Sequence, residues 1–218
     1  MNQKKGLYFL DALPKVIRRL IWDTYLGEHD RWIVRIALHI CSYDYDCPKK
    51  IEFARYCALN GYLSLLKWSR VPLFPHINEY VARGGNLKML KWTTLQHCEN
   101  TMRTCAFAAT NGHLEMLKWL VLEKRCKVGM SSISNAAAGG HLDVITFLHS
   151  HMDSARHYHS QPCTLAAKHG HLDTLIWLRE HDYALSTETW LEAEKAEQWD
   201  CLQWLMENGC PEPLIHAF

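Results

Sequence analysis

A chain of 218 residues, 48% hydrophobic and 22% charged, has the make-up of a folded protein and not of a disordered tail. Its 24 Lys and Arg against 23 Asp and Glu leave no cationic surplus to drive salt-dependent capture of nucleic acid or an anionic membrane. No stretch approaches the roughly 20 apolar residues that a membrane helix needs, and nine cysteines without one CxxC spacing read as thiols rather than as a disulfide framework. A cytoplasmic location is therefore expected, a nuclear one being equally compatible.

In chain order, the first apolar run, "GLYFL", is stopped by Asp11 before it reaches the length of a signal-peptide core. Leu13-Pro14 then opens a helical segment that reaches Tyr43, Pro14 suiting a first helical turn because it has no N–H to leave unpaired. The polar stretch "DYDCPKK", 44 to 50, marks a boundary. It divides a helical N-terminal segment, 1–48, from the rest of the chain, 49–218.

Beyond that boundary one decapeptide recurs: "NGYLSLLKWS", "GGNLKMLKWT", "NGHLEMLKWL", "GGHLDVITFL" and "HGHLDTLIWL". Its anchors are Gly61, Gly85, Gly112, Gly140 and Gly170, with a degenerate sixth copy at Glu197, and the steps between them are 24, 27, 28, 30 and 27 residues. A period of that size with small indels is the mark of stacked supersecondary units. Small residues stand four and three places before most anchors, as in Ala108-Ala109, Ala136-Ala137 and Ala166-Ala167. They predict a helix A that presses closely on its neighbour. The glycine then supplies the left-handed conformation that ends helix A at little steric cost.

Two residues past the anchor comes Leu63, Leu87, Leu114, Leu142, Leu172 or Trp199. Seven past it comes Trp68, Trp92, Trp119, Phe147, Trp177 or Trp204. At 100° per residue, positions two, four, five, seven and eight cover most of a helix B, leaving a polar strip at three and six that carries Glu115 and Lys118. The aromatic position is expected to serve packing rather than base stacking, since it shares a helix with the buried leucines. Helices of about 10 residues are marginal in water, so such hairpins must stack.

These features resemble the ankyrin repeat: a small-residue helix A as in "TLAAKHG", a glycine turn, and "HLDTLIWL" as helix B, over roughly residues 50 to 210. The period is shorter than the usual roughly 33 residues and no TPLH-type start is present, so a long β-hairpin finger is not expected. With "LKWL" in helix B and "ENGCP" at 207 to 211, the array looks like those of large DNA viruses of amoebae. Such arrays are commonly preceded by an F-box-like segment, and Leu13, Pro14, Ile17, Ile21 and Leu26 are the residues that resemble one. That resemblance implies docking on a Skp-type adaptor of a cullin ubiquitin ligase. The alternative for the same segment is a terminal cap of the solenoid.

His113, His141 and His171 recur directly after the turn glycine, which favours a hydrogen bond across the turn or to the adjacent unit over chemistry. A separate cluster, His149, His151, His157 and His159 in "HSHMDSARHYHS", offers four imidazoles for a metal, but at a spacing unlike the usual structural zinc patterns. No nucleophile elbow, P-loop, HExxH helix or dinucleotide glycine fingerprint is present, and no cofactor is implied. The sequence thus predicts an all-α solenoid of about six ankyrin-like helical pairs that binds a partner protein and is not an enzyme. Its variable segments "VPLFPHINEY", "KRCKVGMSS" and "HDYALSTET" are the candidate contacts, a weaker alternative being a His-rich metal-binding protein.

Overall fold

The computed structural model describes residues 48–151 and 159–212. Leu13, Pro14, Ile17, Ile21, Leu26 and His157 lie outside the described residues, as does the side chain of Trp68. The chain divides into two compact units, Met1–Glu99 and Asn100–Phe218.

Among the described residues all regular structure is helical, and it comes as hairpins of short helices. The first unit holds α1 (Pro48–Asn60), α2 (Leu63–Ser69), α3 (Ile77–Gly84) and α4 (Leu87–Leu95). The second holds α5 (Met102–Thr110), α6 (Leu114–Lys118), α7 (Met130–Ala138), α8 (Leu142–Ser150), α9 (Gln161–Lys168), α10 (Leu172–Glu180), α11 (Thr187–Lys195) and α12 (Trp199–Glu207). Odd-numbered helices are the predicted helix A, even-numbered ones helix B.

The A helices form the tight layer. In the first unit α1 packs along α3, and in the second α5, α7, α9 and α11 pack in succession. Their close approach follows from the small residues before each anchor: Ala108, Ala109, Ala136, Ala137, Ala166 and Ala167 have no exposed surface. Where two A helices end against each other even a methyl group is excluded, since a Cβ on Gly139 would stand 2.7 Å from the Thr110 carbonyl oxygen. Helix B is an outer layer with sparser contacts, α6 to α8 and α10 to α12.

Burial along helix B corrects the predicted packing arc. Positions four, five and eight past the anchor are buried in every copy, as in Met116, Leu117 and Leu120 or Thr174, Leu175 and Leu178. Position two is half-buried in five copies and exposed at Trp199, so the core face is narrower than predicted. The reason is architectural: helix B is covered by helix A on one side and only partly by adjacent B helices. The polar strip is where it was expected, with Lys118 Nζ 2.7 Å from Glu115 Oε1.

Two turns recur in each hairpin. At the first, Gly61, Gly85, Gly112, Gly140 and Gly170 have φ between 70° and 73°. The Gly112 N–H donates to the Ala109 carbonyl at 3.2 Å and the His113 N–H to the Ala108 carbonyl at 2.9 Å, the paired bonds of a Schellman motif, and Gly140 and Gly170 repeat them. At the second, helix B ends on a left-handed residue that is mostly not glycine: Arg70, His97, Arg125, Asp182 and Gly209. The following N–H returns to helix B, Cys98 to the Thr93 carbonyl, Tyr183 to Leu178 and Cys210 to Leu205, each at 3.1 Å.

These two turns locate the indels of the sequence. From the second turn to the next first turn the distance is constant at 15 residues, Arg70 to Gly85, His97 to Gly112, Arg125 to Gly140 and Asp182 to Glu197. Helix B absorbs the variation that the described residues show. The first copy lacks a turn, α2 having 7 residues where α4 has 9. The third copy has one residue more, accommodated by a π-helical turn over Trp119–Glu123 in which the Lys124 N–H bonds the Trp119 carbonyl at 3.2 Å.

Candidate interaction surface

After three of the turn glycines the next residue is a tie between copies. His141 Nε2 lies 3.0 Å from the Thr110 carbonyl of the previous hairpin, and His171 Nε2 lies 3.0 Å from the Ala138 carbonyl. In the first unit Asn86 takes the same place, its Nδ2 donating to the Gly61 carbonyl at 3.1 Å while its Oδ1 accepts from the Met89 N–H and caps α4. Each side chain sits over the preceding glycine: a Cβ on Gly112 would be 2.7 Å from His141 Nδ1, and one on Gly140 would be 2.6 Å from His171 Nδ1. Carbonyls that the helix ends leave unpaired are thus satisfied from the neighbouring copy.

Of the aromatic positions, the structure buries Trp119 and leaves Trp92, Phe147, Trp177 and Trp204 half-buried. Their outer faces take polar company. Lys67 Nζ stands 5.3 Å from the Trp92 ring centre, Lys124 Nζ 5.1 Å from that of Trp119, and the His181 ring stacks on Trp177 at 3.7 Å.

The described members of the His cluster diverge. His149 Nδ1 is 3.3 Å from the Tyr183 hydroxyl and its ring meets Trp177 edge-on at 5.4 Å, inside the packing of α8 against the following hairpin. His151 Nδ1 instead turns to the Phe147 carbonyl at 2.8 Å, and His159 is exposed. Among the described residues no group of three or more His, Cys, Asp or Glu is arranged to hold a metal ion.

The three variable segments are not uniformly surface. In 71–80 Val71 and Ile77–Glu79 are buried, leaving Pro72, Pro75 and His76 exposed. In 124–132 Lys124, Arg125, Lys127 and Ser131 are exposed. In 181–189 Tyr183 and Thr189 have no exposed surface, whereas Asp182, Thr187 and Glu188 are open. Sequence reading missed the buried residue that follows each second turn, Cys98, Tyr183 or Cys210, because only Gly209 announces the turn. The signal was the shared frame of "QHC", "HDY" and "NGC" at 11 to 13 residues past the anchor. The first unit also carries a cleft of about 380 Å³ between its two hairpins, lined by Leu66, Lys67, Arg70, Trp92 and Gln96 among others.

Short antiparallel helix pairs, a left-handed turn within each that is glycine in five of six, and ties from one turn to the next define a helical repeat scaffold. Residues 105–189 match the family model described as ankyrin repeats, in three copies. Sixty-seven chains of solved structures match, among them the crystal structure of the human ASB11 ankyrin repeat domain. The two are 21% identical over 62% of this chain and 69% of that one, with a TM-score of 0.51, a likeness of fold. No curated protein matches the chain. Residues 105–189 thus carry ankyrin repeats, which are generally modules of protein–protein interaction.

Proposed function

We propose that this chain is a non-enzymatic recognition module that holds a partner protein in the cytoplasm or nucleus through its connectors and the exposed edges of its helix pairs. One observation carries the reading. Side chains that recur between copies are consumed by folding, whereas the exposed connector residues differ in charge and shape from copy to copy: Pro72, Pro75 and His76, then Lys124, Arg125 and Lys127, then Asp182, Thr187 and Glu188. Helix pairs with variable edges suit recognition of a folded surface. The resemblance to arrays of large DNA viruses points to a host protein as the target.

The test is affinity capture with full-length chain and with Lys124→Glu, Arg125→Glu and Lys127→Glu combined, a set that leaves the core untouched. Partners retained by the parent and lost by a variant of unchanged melting temperature support the reading. A partner held equally by parent and by variants in all three connectors sinks it.

A second reading makes the chain an adaptor in which Leu13, Pro14, Ile17, Ile21 and Leu26 dock a Skp-type protein and the array presents a target for ubiquitin transfer. What favours it is the apolar pattern ahead of the first repeat. Recovery of Skp-type adaptor and cullin by the parent, but not by Leu13→Glu with Ile17→Glu, supports bridging. No recovery by either chain leaves the recognition module alone.

A further inference from the structure

We propose that the cleft between α2 and α4 docks an aromatic side chain carried on an acidic segment of a partner protein, a reading that rests on the recognition function above and gives one of its contacts a chemistry. The cleft follows from the shortness of the first helix B. Its left-handed turn residue, Arg70, comes 9 residues after the turn glycine, whereas His97 and Asp182 come 12 after theirs. About one helical turn is missing from α2, and with it the wall that this turn would lay against α4.

A later pair of hairpins shows what stands in that place when helix B runs on. His149, near the end of α8 and 9 residues past Gly140, reaches over the following hairpin, where its ring meets Trp177 edge-on at 5.4 Å and lies 5.3 Å from the ring of His181. In the first unit the residues in register with Trp177 and His181 are Trp92 and Gln96, and both line the cleft of about 380 Å³. The residue in register with His149 is Arg70, which is already part of the turn and exposed. Where α8 fills this space with a ring of its own chain, the first unit has a cleft. A Phe or Tyr from a partner fits the same frame, edge-on to Trp92, over the buried Leu66 and Val71.

Charge names the rest of the segment. Lys67 and Arg70 border the cleft, both exposed, and neither pairs with a carboxylate among the described residues. Lys67 Nζ, 5.3 Å from the Trp92 ring centre, is held beside the place the incoming ring would take. α4 adds Lys88 and Lys91, and neither α2 nor α4 contains an Asp or Glu. Helix B of the later hairpins carries Glu115, Asp143, Asp173 or Asp200 at the position of Lys88. A chain of formal charge +1 thus gathers cations on the helix B surface of its first unit, which favours Asp or Glu beside the docked ring. A nucleotide also joins a ring to negative charge, but the cleft is lined by the later parts of α2 and α4 and by the connector after α2, not by a helix N-terminus that would hold a phosphate.

The test is an NMR titration of the ¹⁵N-labelled full-length chain at pH 7 with blocked pentapeptides. Acetyl-Gly-Asp-Phe-Glu-Gly-amide should shift the Trp92 indole N–H and the Gln96 side-chain amide saturably. Replacing its Phe by Ala, or its two acids by Asn and Gln, should weaken binding at least about five-fold. Lys67→Gln combined with Arg70→Asn should weaken the parent peptide by a similar factor at an unchanged melting temperature, asparagine being chosen because it accepts the left-handed turn. No saturable shift at Trp92 and Gln96, equal binding of the Ala or the neutral peptide, undiminished binding by the double variant, or tighter binding of adenosine monophosphate than of the acidic peptide each overturns the proposal. Such results would leave the recognition module standing, since its own test is the loss of captured partners on charge reversal at Lys124, Arg125 and Lys127.

Discussion

The two turns of each hairpin ask for the same backbone conformation, yet only one of them insists on glycine. At the turn from helix A to helix B five of six copies are glycine; at the turn after helix B the described left-handed residues are Arg70, His97, Arg125, Asp182 and Gly209. Conformation alone does not explain this, because a non-glycine residue in the left-handed region costs only roughly 1–2 kcal/mol, and Asp or Asn less. The difference is in what lies above. A Cβ at Gly61, Gly112, Gly140 or Gly170 runs into the side chain that follows the turn of the next copy, Asn86, His141, His171 or Gln198, whereas one at Gly209 meets nothing within 4 Å. Glu197, the one non-glycine at the first turn, is exposed. Glycine is fixed where stacking needs the space and drifts where only the turn needs it.

The largest expected effect attacks that distinction directly. Gly140→Ala must place a methyl group 2.6 Å from His171 Nδ1 as well as strain a φ of 70°, so it should lose both the turn energy and the tie to the Ala138 carbonyl. A loss of about 2–3 kcal/mol is expected, against about 1 kcal/mol for Gly209→Ala, where only the turn is affected. Thermal unfolding followed by circular dichroism compares them. Equal losses would show that the covering side chain contributes nothing to the choice of glycine.

Next in size is the tie itself. His171→Ala leaves the Ala138 carbonyl without its partner and opens a gap over Gly140, for which about 1–2 kcal/mol is expected. His171→Asn should lose less, since Asn86 shows that asparagine at this position both reaches the preceding glycine carbonyl and caps its own helix. A melting temperature for His171→Asn at or below that of His171→Ala would remove the equivalence.

The same contrast explains how much was legible in the sequence. The first turn could be read because two constraints act together and select one residue, leaving Gly61, Gly85, Gly112, Gly140 and Gly170 in register. The second turn could not, because a single mild constraint lets His97, Arg125 and Asp182 stand where Gly209 does. Its buried follower was therefore assigned to a surface loop at Tyr183, which in fact has no exposed surface. Periodicity also overstated the burial of helix B, because a helix wheel shows which residues share a face and not how many neighbours cover it. Trp119 reached the core while Trp92, Trp177 and Trp204 stopped at its edge. The connector surface was legible only as divergence, which does not separate Lys127 from a buried neighbour such as Ser132.

A smaller effect runs in the opposite direction. If the second turn is constrained only by backbone conformation, glycine should improve it wherever the existing side chain has no other task. Asp182 is exposed and holds φ at 64°, so Asp182→Gly should raise stability by about 0.5 kcal/mol, a gain reduced by the extra freedom of glycine in the unfolded chain. A measurable loss in Asp182→Gly would mean that its carboxylate contributes something the backbone geometry does not show.

The smallest effect concerns a tie made outside the turns altogether. Glu192 on α11 receives Lys168 of α9 at 2.8 Å and Lys195 at 3.0 Å, linking two A helices at their exposed edge. The hydrogen bonds from Lys168 and then Lys195, reinforced by their charges, hold its carboxyl down to about 2 from the ordinary 4.5. A carboxylate with a depressed folded value stabilises above its unfolded value, and that contribution fades as acid protonates it. The advantage of the parent over Glu192→Gln should therefore be full at pH 6, shrink from about 4.5 towards about 2, and vanish below. Because the pair is open to solvent, added salt should reduce it at every pH, unlike the ties that His141 and His171 make to backbone carbonyls. Melting curves of the two chains at pH 6 and pH 3, each with and without 0.5 M salt on the order used for screening surface charge, decide the matter. A difference that ignores both pH and salt would mean that Glu192 acts through packing and not through its charge.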